Sequence, residues 1–247
     1  VSGEGWVLLV DKPEGPTSFA MVQRVRRLTG VKKVGHAGTL DPFASGLLVV
    51  CIGRAATRHV DRFMKGHKEY LATLQLGAAT TTQDLEGETI ASHEVTKEHF
   101  DRLPQVIKGF VGEQLQAVPR FSAVKHKGRP LYVYARKGIE VDKPPRKVVI
   151  QSIDLVELDA ARARAVIRVR CGKGTYIRTL ASDIGERLGC LAHLVQLRRL
   201  AVGGFRVDQA VDGGTLFGLG GETLVRQGLL PIDEAVGSCQ EEQQQTA

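Results

Sequence analysis

The sequence predicts an α+β protein, a central mixed and mostly antiparallel sheet flanked by helices and loops. Three observations carry this. Strand-like and helix-like segments intersperse without the regular βα repeat of a doubly wound fold. The run Ala165-Val166-Ile167-Arg168-Val169-Arg170 alternates apolar and charged residues, the signature of a strand with one covered face and antiparallel neighbours. The 247 residues, 43% hydrophobic and 25% charged, contain no internal repeat and are enough for a sizeable core.

Taken in order, residues 6–10 are a short apolar strand ended by Asp11-Lys12-Pro13-Glu14-Gly15-Pro16, where proline and glycine interrupt the ladder. Thr17-Ser18 offers a cap for a helix over 19–28. Its apolar face is Met21, Val22, Val25 and Leu28, its outer surface is basic through Arg24, Arg26 and Arg27, and Gly30 stops it. Residues 34–46 hold three glycines and a proline and read as a shaped loop. Strands follow at 47–52 and 69–76 with a helix between them, then helices at 95–110 and 131–137. A hairpin of 148–158 with 163–171, a helix over 179–188 and an apolar strand at 194–202 complete the fold. The expected organisation is one domain over 1–236, with a short C-terminal segment from about 203. The polar tail at 237–247 cannot bury enough apolar surface to order itself.

Several classes are excluded. The apolar run Gly46-Leu47-Leu48-Val49-Val50-Cys51-Ile52 stops far short of the roughly 20 residues a bilayer requires, so no membrane span is expected. The start carries no secretory pattern, which makes the cytoplasm the expected location. Cys51, Cys171, Cys190 and Cys239 have no pairing or metal-like spacing, so neither a disulfide framework nor a metal site is expected. Lys173-Gly174 lacks the surrounding phosphate-loop string, which argues against an NTPase.

The charge, 34 Lys+Arg against 27 Asp+Glu for a net +7, is unevenly placed. Residues 120–147 set Arg120, Lys125, Lys127, Arg129, Arg136, Lys137, Lys143, Arg146 and Lys147 against only Glu140 and Asp142. Residues 162–178 contain no acid. Either stretch would attract a polyanion by counterion release, although solvated faces produce charge runs too.

The chemistry concentrates in Gly35-His36-Ala37-Gly38-Thr39-Leu40-Asp41-Pro42-Phe43-Ala44-Ser45-Gly46. Glycines permit tight turns and close approach of a ligand, and Pro42 stiffens the position after Asp41. Alone, such a loop reads as a structural turn capped by the aspartate. The full string, however, resembles the signature of the TruB family of tRNA pseudouridine synthases, and Leu8-Leu9-Val10-Asp11-Lys12-Pro13-Glu14-Gly15 resembles that family's opening motif. The resemblance continues in family order through Lys68-Glu69-Tyr70, Ser122-Ala123-Val124-Lys125, Leu131-Tyr132-Val133-Tyr134-Ala135-Arg136 and Cys171-Gly172-Lys173-Gly174-Thr175-Tyr176-Ile177-Arg178, closing at Leu197-Arg198-Arg199-Leu200.

The resemblance implies the pseudouridine synthase fold and a cofactor-independent isomerisation of uridine 55 in the T loop of tRNA. The target base is extruded, its N1 glycosidic bond breaks, and C5 bonds to the ribose. Asp41 is then the nucleophile, held ionised by Arg178. Tyr70 stacks on the flipped uracil and takes part in proton movement, Tyr176 and Leu197 line the uridine pocket, and His36 helps displace the nucleotide. Lys12 shapes the neighbourhood of Asp41 and Lys125 touches backbone phosphate. Without the motifs, Tyr70 and Leu197 would read as core, His36 as a satisfied loop histidine and the lysines as solvated.

Two departures are visible: Val118-Pro119-Arg120-Phe121 replaces a double proline, and Ala37 stands where part of the family has threonine. No appended RNA-binding PUA domain is expected after Pro231-Ile232-Asp233-Glu234-Ala235. That favours a stand-alone bacterial type, monomeric and without an obligatory protein partner, over relatives that work with guide-RNA proteins. The rival expectation is an RNA-folding factor that grips the tRNA elbow without chemistry; Asp41, Tyr70 and Arg178 together argue against it.

Overall fold

The computed structural model describes residues 5–245; residues 1–4, where a secretory start was looked for, and the last two of the polar tail lie outside them. The chain forms two compact units, residues 1–71 with 197–247, and residues 72–196.

The first unit contains β1 (Trp6–Lys12), α1 (Ser18–Thr29), β2 (Val34–Ala37), β3 (Ser45–Ile52), α2 (Arg54–Thr57), α3 (Val60–Lys65) and the start of β4 (Lys68–Leu76). β4 carries the chain into the second unit, made of β5 (Ala78–Thr80), β6 (Thr89–Ser92), α4 (Lys97–Lys108), β7 (Gly112–Gln116), β8 (Lys125–His126), β9 (Arg129–Pro130), α5 (Leu131–Ala135), β10 (Arg146–Asp159), β11 (Arg164–Cys171) and α6 (Ile177–Leu188). β12 (Ala192–Val202) returns it to β13 (Phe205–Arg206), β14 (Val211–Asp212), α7 (Gly221–Gln227), β15 (Leu229–Pro231) and α8 (Ile232–Gln245).

In the first unit the strand order is β14-β1-β3-β12. β1 and β3 are continuous apolar runs because both of their faces are covered. They pair antiparallel from Trp6 opposite Ile52 to Lys12 opposite Gly46. Alternate residues feed two cores. Val7, Leu9, Leu47, Val49 and Cys51 pack with Ala56, Phe63 and Phe205, while Leu8, Val10, Leu48, Val50 and Ile52 pack with Met21, Val22, Val25 and Leu216.

α1 begins and ends where its sequence says. The Thr17 hydroxyl accepts from the Ala20 amide at 3.0 Å, and Gly30 closes the helix at φ 70°, its amide donating to the Arg26 carbonyl. Its outer surface is less basic than expected. Arg24 donates to the Leu216 carbonyl and stands 5.9 Å from the centroid of the Phe217 ring, and Arg26 donates to the Val34 carbonyl at 2.8 Å. Two of the three arginines therefore staple the helix to its neighbours.

In the second unit β11 and β7 both pair antiparallel with β10. Ala165, Ile167, Val169 and Cys171 are buried, as the alternation predicted. Here α6 closes tightly on the start of β12. A Cβ on Gly185 would come within 2.1 Å of the Ala192 amide nitrogen, so only glycine fits. With parallel pairs at β1/β14 and β3/β12 beside antiparallel ones at β1/β3, β1/β15, β2/β3, β12/β13, β10/β11 and β10/β7, the pairing is mixed and mostly antiparallel, as the sequence predicted.

Three segments differ from the sequence reading. The glycine-rich stretch opens as a strand, β2, because Val34 and Ala37 are apolar enough to pair opposite Ile52 and Val49; the loop proper starts at Gly38. Two short helices, α2 and α3, replace the single one expected between β3 and β4. The polar tail, expected to be without order, continues α8 as far as Gln245, since Glu and Gln are good helix formers and no breaker follows Gly237. Among the described residues, no helix is long and apolar enough to cross a membrane.

Candidate active site

Asp41 lies in the loop joining β2 to β3, and its two sequence neighbours are both anchored. On one side, the Ser18 hydroxyl accepts from the Leu40 amide and donates to the Leu40 carbonyl, each at 2.9 Å. On the other, the Pro42 carbonyl accepts from the Gly15 amide at 2.8 Å and from the Lys12 ammonium at 3.2 Å. Lys12, fully buried, also donates to the carbonyls of Pro13 and Pro16, both at 2.8 Å. One of these bonds reaches the carbonyl of the residue that follows Asp41.

The ends of the loop are held from β12. Arg199, 1% exposed, donates through Nε to the Leu47 carbonyl at 2.7 Å and through Nη2 to the Gly38 carbonyl at 3.0 Å. Gly46, at φ 101°, sits so close to this strand that a Cβ would approach the Arg199 carbonyl oxygen to 2.3 Å. The neighbouring Arg198 forms a bidentate pair with Asp11, at 3.0 and 2.6 Å. An aspartate in a glycine-rich loop is thus supported by a frame of buried cations spent on backbone carbonyls.

His36 lies on β2, its Nδ1 buried and without a hydrogen-bond partner. Burial, and secondarily the charge of Arg199, hold its pKa below the usual imidazole range, so the ring is neutral near pH 7. Tyr70 on β4 and Leu197 on β12 are 9% and 6% exposed.

Three more of the residues named from the sequence lie in the second unit. Arg178, 4% exposed on the first turn of α6, donates to the Thr82 carbonyl at 2.9 Å and the Phe121 carbonyl at 2.7 Å, with Asp84 Oδ2 3.6 Å from its Nε. Asp84 also accepts from the Thr82 hydroxyl and the Glu86 amide. Tyr176, at the start of α6, is held by Gln116. The Gln116 Oε1 accepts from the Tyr176 amide at 2.8 Å and its Nε2 donates to the Tyr176 carbonyl at 3.0 Å. Lys125 is exposed on the small β8/β9 hairpin.

The sequence names Ser18 only as part of a helix cap and Arg199 only within the closing motif, and it marks neither Asp84 nor Gln116. Each acts through a contact with residues far away in the chain, for which no local pattern exists.

Comparison with known families decides what this arrangement belongs to. Residues 26–177 match the model of the TruB family pseudouridylate synthase N-terminal domain, and residues 178–237 match that of the tRNA pseudouridylate synthase B C-terminal domain. The chain belongs to the TruB family. Pseudouridine synthases are isomerases, and this member is one.

Curated relatives agree. The chain is 55% identical over 208 residues to the tRNA pseudouridine synthase B of Desulfotalea psychrophila, covering 83% of this chain and 85% of that one. It is 47% identical over 230 residues to the enzyme of the same name from Bordetella pertussis, covering 92% of each. Among solved structures, a Cbf5-Nop10-Gar1 complex aligns with a TM-score of 0.69 at 29% identity, and an H/ACA RNP bound to a substrate RNA containing 2'-deoxyuridine with 0.68 at 27%. Both alignments cover 94% of this TruB-family chain but only 62% and 61% of those longer chains. Identity to the bacterial enzymes far exceeds identity to these complexes, which accords with a bacterial-type member.

Proposed function

We propose that this protein converts uridine 55 in the T loop of tRNA to pseudouridine, with Asp41 as the nucleophile. The observation that carries the reading is the loop itself. Inside a family match over residues 26–237, one carboxylate stands between two residues whose backbones are fixed by buried side chains.

The reaction breaks the N1–C1' bond, turns the uracil and joins its C5 to C1'. The C5 proton is released and N1 regains one, so nothing is consumed. The protein's tasks are to bind the T arm, hold the extruded base and supply a carboxylate and a proton acceptor. By resemblance Arg178 keeps Asp41 ionised, and its guanidinium arrives oriented by the carbonyls of Thr82 and Phe121. The Tyr70 ring stacks on the uracil and its hydroxyl serves proton movement. Tyr176 and Leu197 wall the base from water. Neutral His36 displaces the nucleotide by bulk rather than by titration. Lys125 and its exposed basic neighbours contact phosphate. The chain acts as a cytoplasmic monomer on tRNA, without metal, nucleotide or partner protein.

The test is tritium release from a tRNA transcript labelled at C5 of uridine, incubated without added metal or nucleotide. Release stoichiometric with one uridine, abolished when uridine 55 is replaced by cytidine, is expected. Undiminished release from the cytidine-55 transcript would place the target elsewhere.

A further inference from the structure

We infer that Ser18 is a positioning residue for catalysis, a clamp that fixes the backbone entering Asp41; this rests on the reading of Asp41 as nucleophile. One hydroxyl, in a residue 2% exposed, satisfies both the amide and the carbonyl of Leu40, at 2.9 Å each. The pair imitates the two-bond exchange between neighbouring strands, although residue 40 lies in a loop.

The clamp has a defined anchor. Ser18 is the first residue of α1, whose Met21, Val22 and Val25 are sunk in the core. Displacement of Leu40 is therefore resisted by the whole helix. On the far side of Asp41, the Pro42 carbonyl is tied to Gly15 and Lys12, in the turn leading into that helix. The backbone on both sides of Asp41 is thus held, at i−1 by Ser18 and at i+1 by Lys12 and Gly15. A nucleophile must sit within a fraction of an ångström of its target, and misplacement by about 1 Å costs on the order of a hundredfold in rate. Removing the hydroxyl leaves two buried polar groups of Leu40 unsatisfied and lets the loop shift to reach water.

The experiment compares Ser18→Ala with Thr17→Ala, which removes the cap of the same helix without touching Leu40, and with Asp41→Asn. Single-turnover pseudouridine formation and tRNA Kd are measured well below the unfolding temperature of each variant. Ser18→Ala is expected to lower the rate by at least about tenfold with Kd within about threefold of wild type, while Thr17→Ala keeps the wild-type rate. A wild-type rate in Ser18→Ala beside an inactive Asp41→Asn would overturn the clamp and leave the nucleophile standing. Equal slowing in Ser18→Ala and Thr17→Ala would also overturn it, assigning the effect to helix loosening. Turnover by Asp41→Asn would overturn the nucleophile reading itself. Hydrogen exchange on the wild-type protein gives a check independent of any variant. The Leu40 amide is expected to exchange as slowly as core amides, and exchange at the rate of exposed loop amides would refute the clamp.

Discussion

Two basic stretches that look alike in sequence meet opposite fates in the fold. In residues 120–147 the charges stay in solvent: Lys125, Lys127, Arg129, Lys137, Arg146 and Lys147 are exposed, and the pair of Arg120 with Glu140 at 3.0 Å is itself on the surface. Residues 162–178 carry no acid of their own, yet the β10/β11 hairpin supplies acids across the strands. Arg162 pairs with Asp159 at 2.9 Å, Arg164 lies opposite Asp159 and Arg168 opposite Asp154. The last residue of that stretch, Arg178, is turned inward altogether. Charge counted along a chain therefore overstates a polyanion site wherever a neighbouring strand contributes the counter-charge. Within the second stretch Arg170 lies opposite Ser152 and stays exposed, as does Lys173.

The contrast breaks most sharply at Arg178. Arg178→Ala should lower single-turnover pseudouridine formation by about a hundredfold or more while leaving tRNA Kd within about threefold, as expected of a group that orients a reacting carboxylate. Unfolding should show a loss of about 3–5 kcal/mol, because Asp84 is left as a buried charge without its partner. Arg178→Lys should restore little, since an ammonium cannot serve the Thr82 and Phe121 carbonyls with fixed fork geometry. A comparable loss of affinity would show that Arg178 serves tRNA binding instead.

A smaller effect is expected from reversing the exposed stretch. The triple variant Lys125→Glu, Lys127→Glu, Arg129→Glu should weaken tRNA binding by about a hundredfold near 0.1 M salt and flatten the plot of log K against log salt by about two to three units. An unchanged slope would show that these side chains do not meet phosphate. Smaller still is the matched control on β11. Arg164→Ala with Arg168→Ala should change Kd by less than about threefold and leave the salt slope alone, because their field is already offset by Asp154 and Asp159.

His36 extends the comparison to a group that titrates. Its folded pKa is lowered, so below the unfolded value near 6.5 the unfolded chain binds a proton that the folded chain does not. Stability should therefore fall as pH drops below about 6.5, and His36→Asn should flatten that limb of the melting-temperature profile. A slope unaffected by the substitution would assign the acid sensitivity to other groups.

How much of this was legible beforehand depends on how local the signal is. The Thr17 and Gly30 boundaries of α1, the alternation of β11 and the glycine-rich string around Asp41 are written in adjacent residues, and the structure shows them in place. The supports of the site are not adjacent. Ser18 meets Leu40 across 22 residues, Gln116 meets Tyr176 across 60 and Arg199 meets Gly38 across 161. A serine, a glutamine and an arginine in ordinary contexts carry no mark of such partners. The same limit explains β2, where glycines suggested a loop until pairing with β3 made Val34 and Ala37 part of a ladder. It also explains Arg164 and Arg168 on β11, whose counter-charges sit on another strand.

The proposed nucleophile is Asp41, and its most direct test is the pseudouridine content at position 55 of an unmodified tRNA transcript after a single turnover. Wild type and Asp41→Asn would be compared at matched occupancy, with no metal or nucleotide added. Near-complete conversion by the wild type and none by Asp41→Asn, with tRNA binding retained in both, is the predicted result. Conversion by Asp41→Asn at a rate approaching wild type would contradict the assignment of the nucleophile and the purpose given to the frame around it.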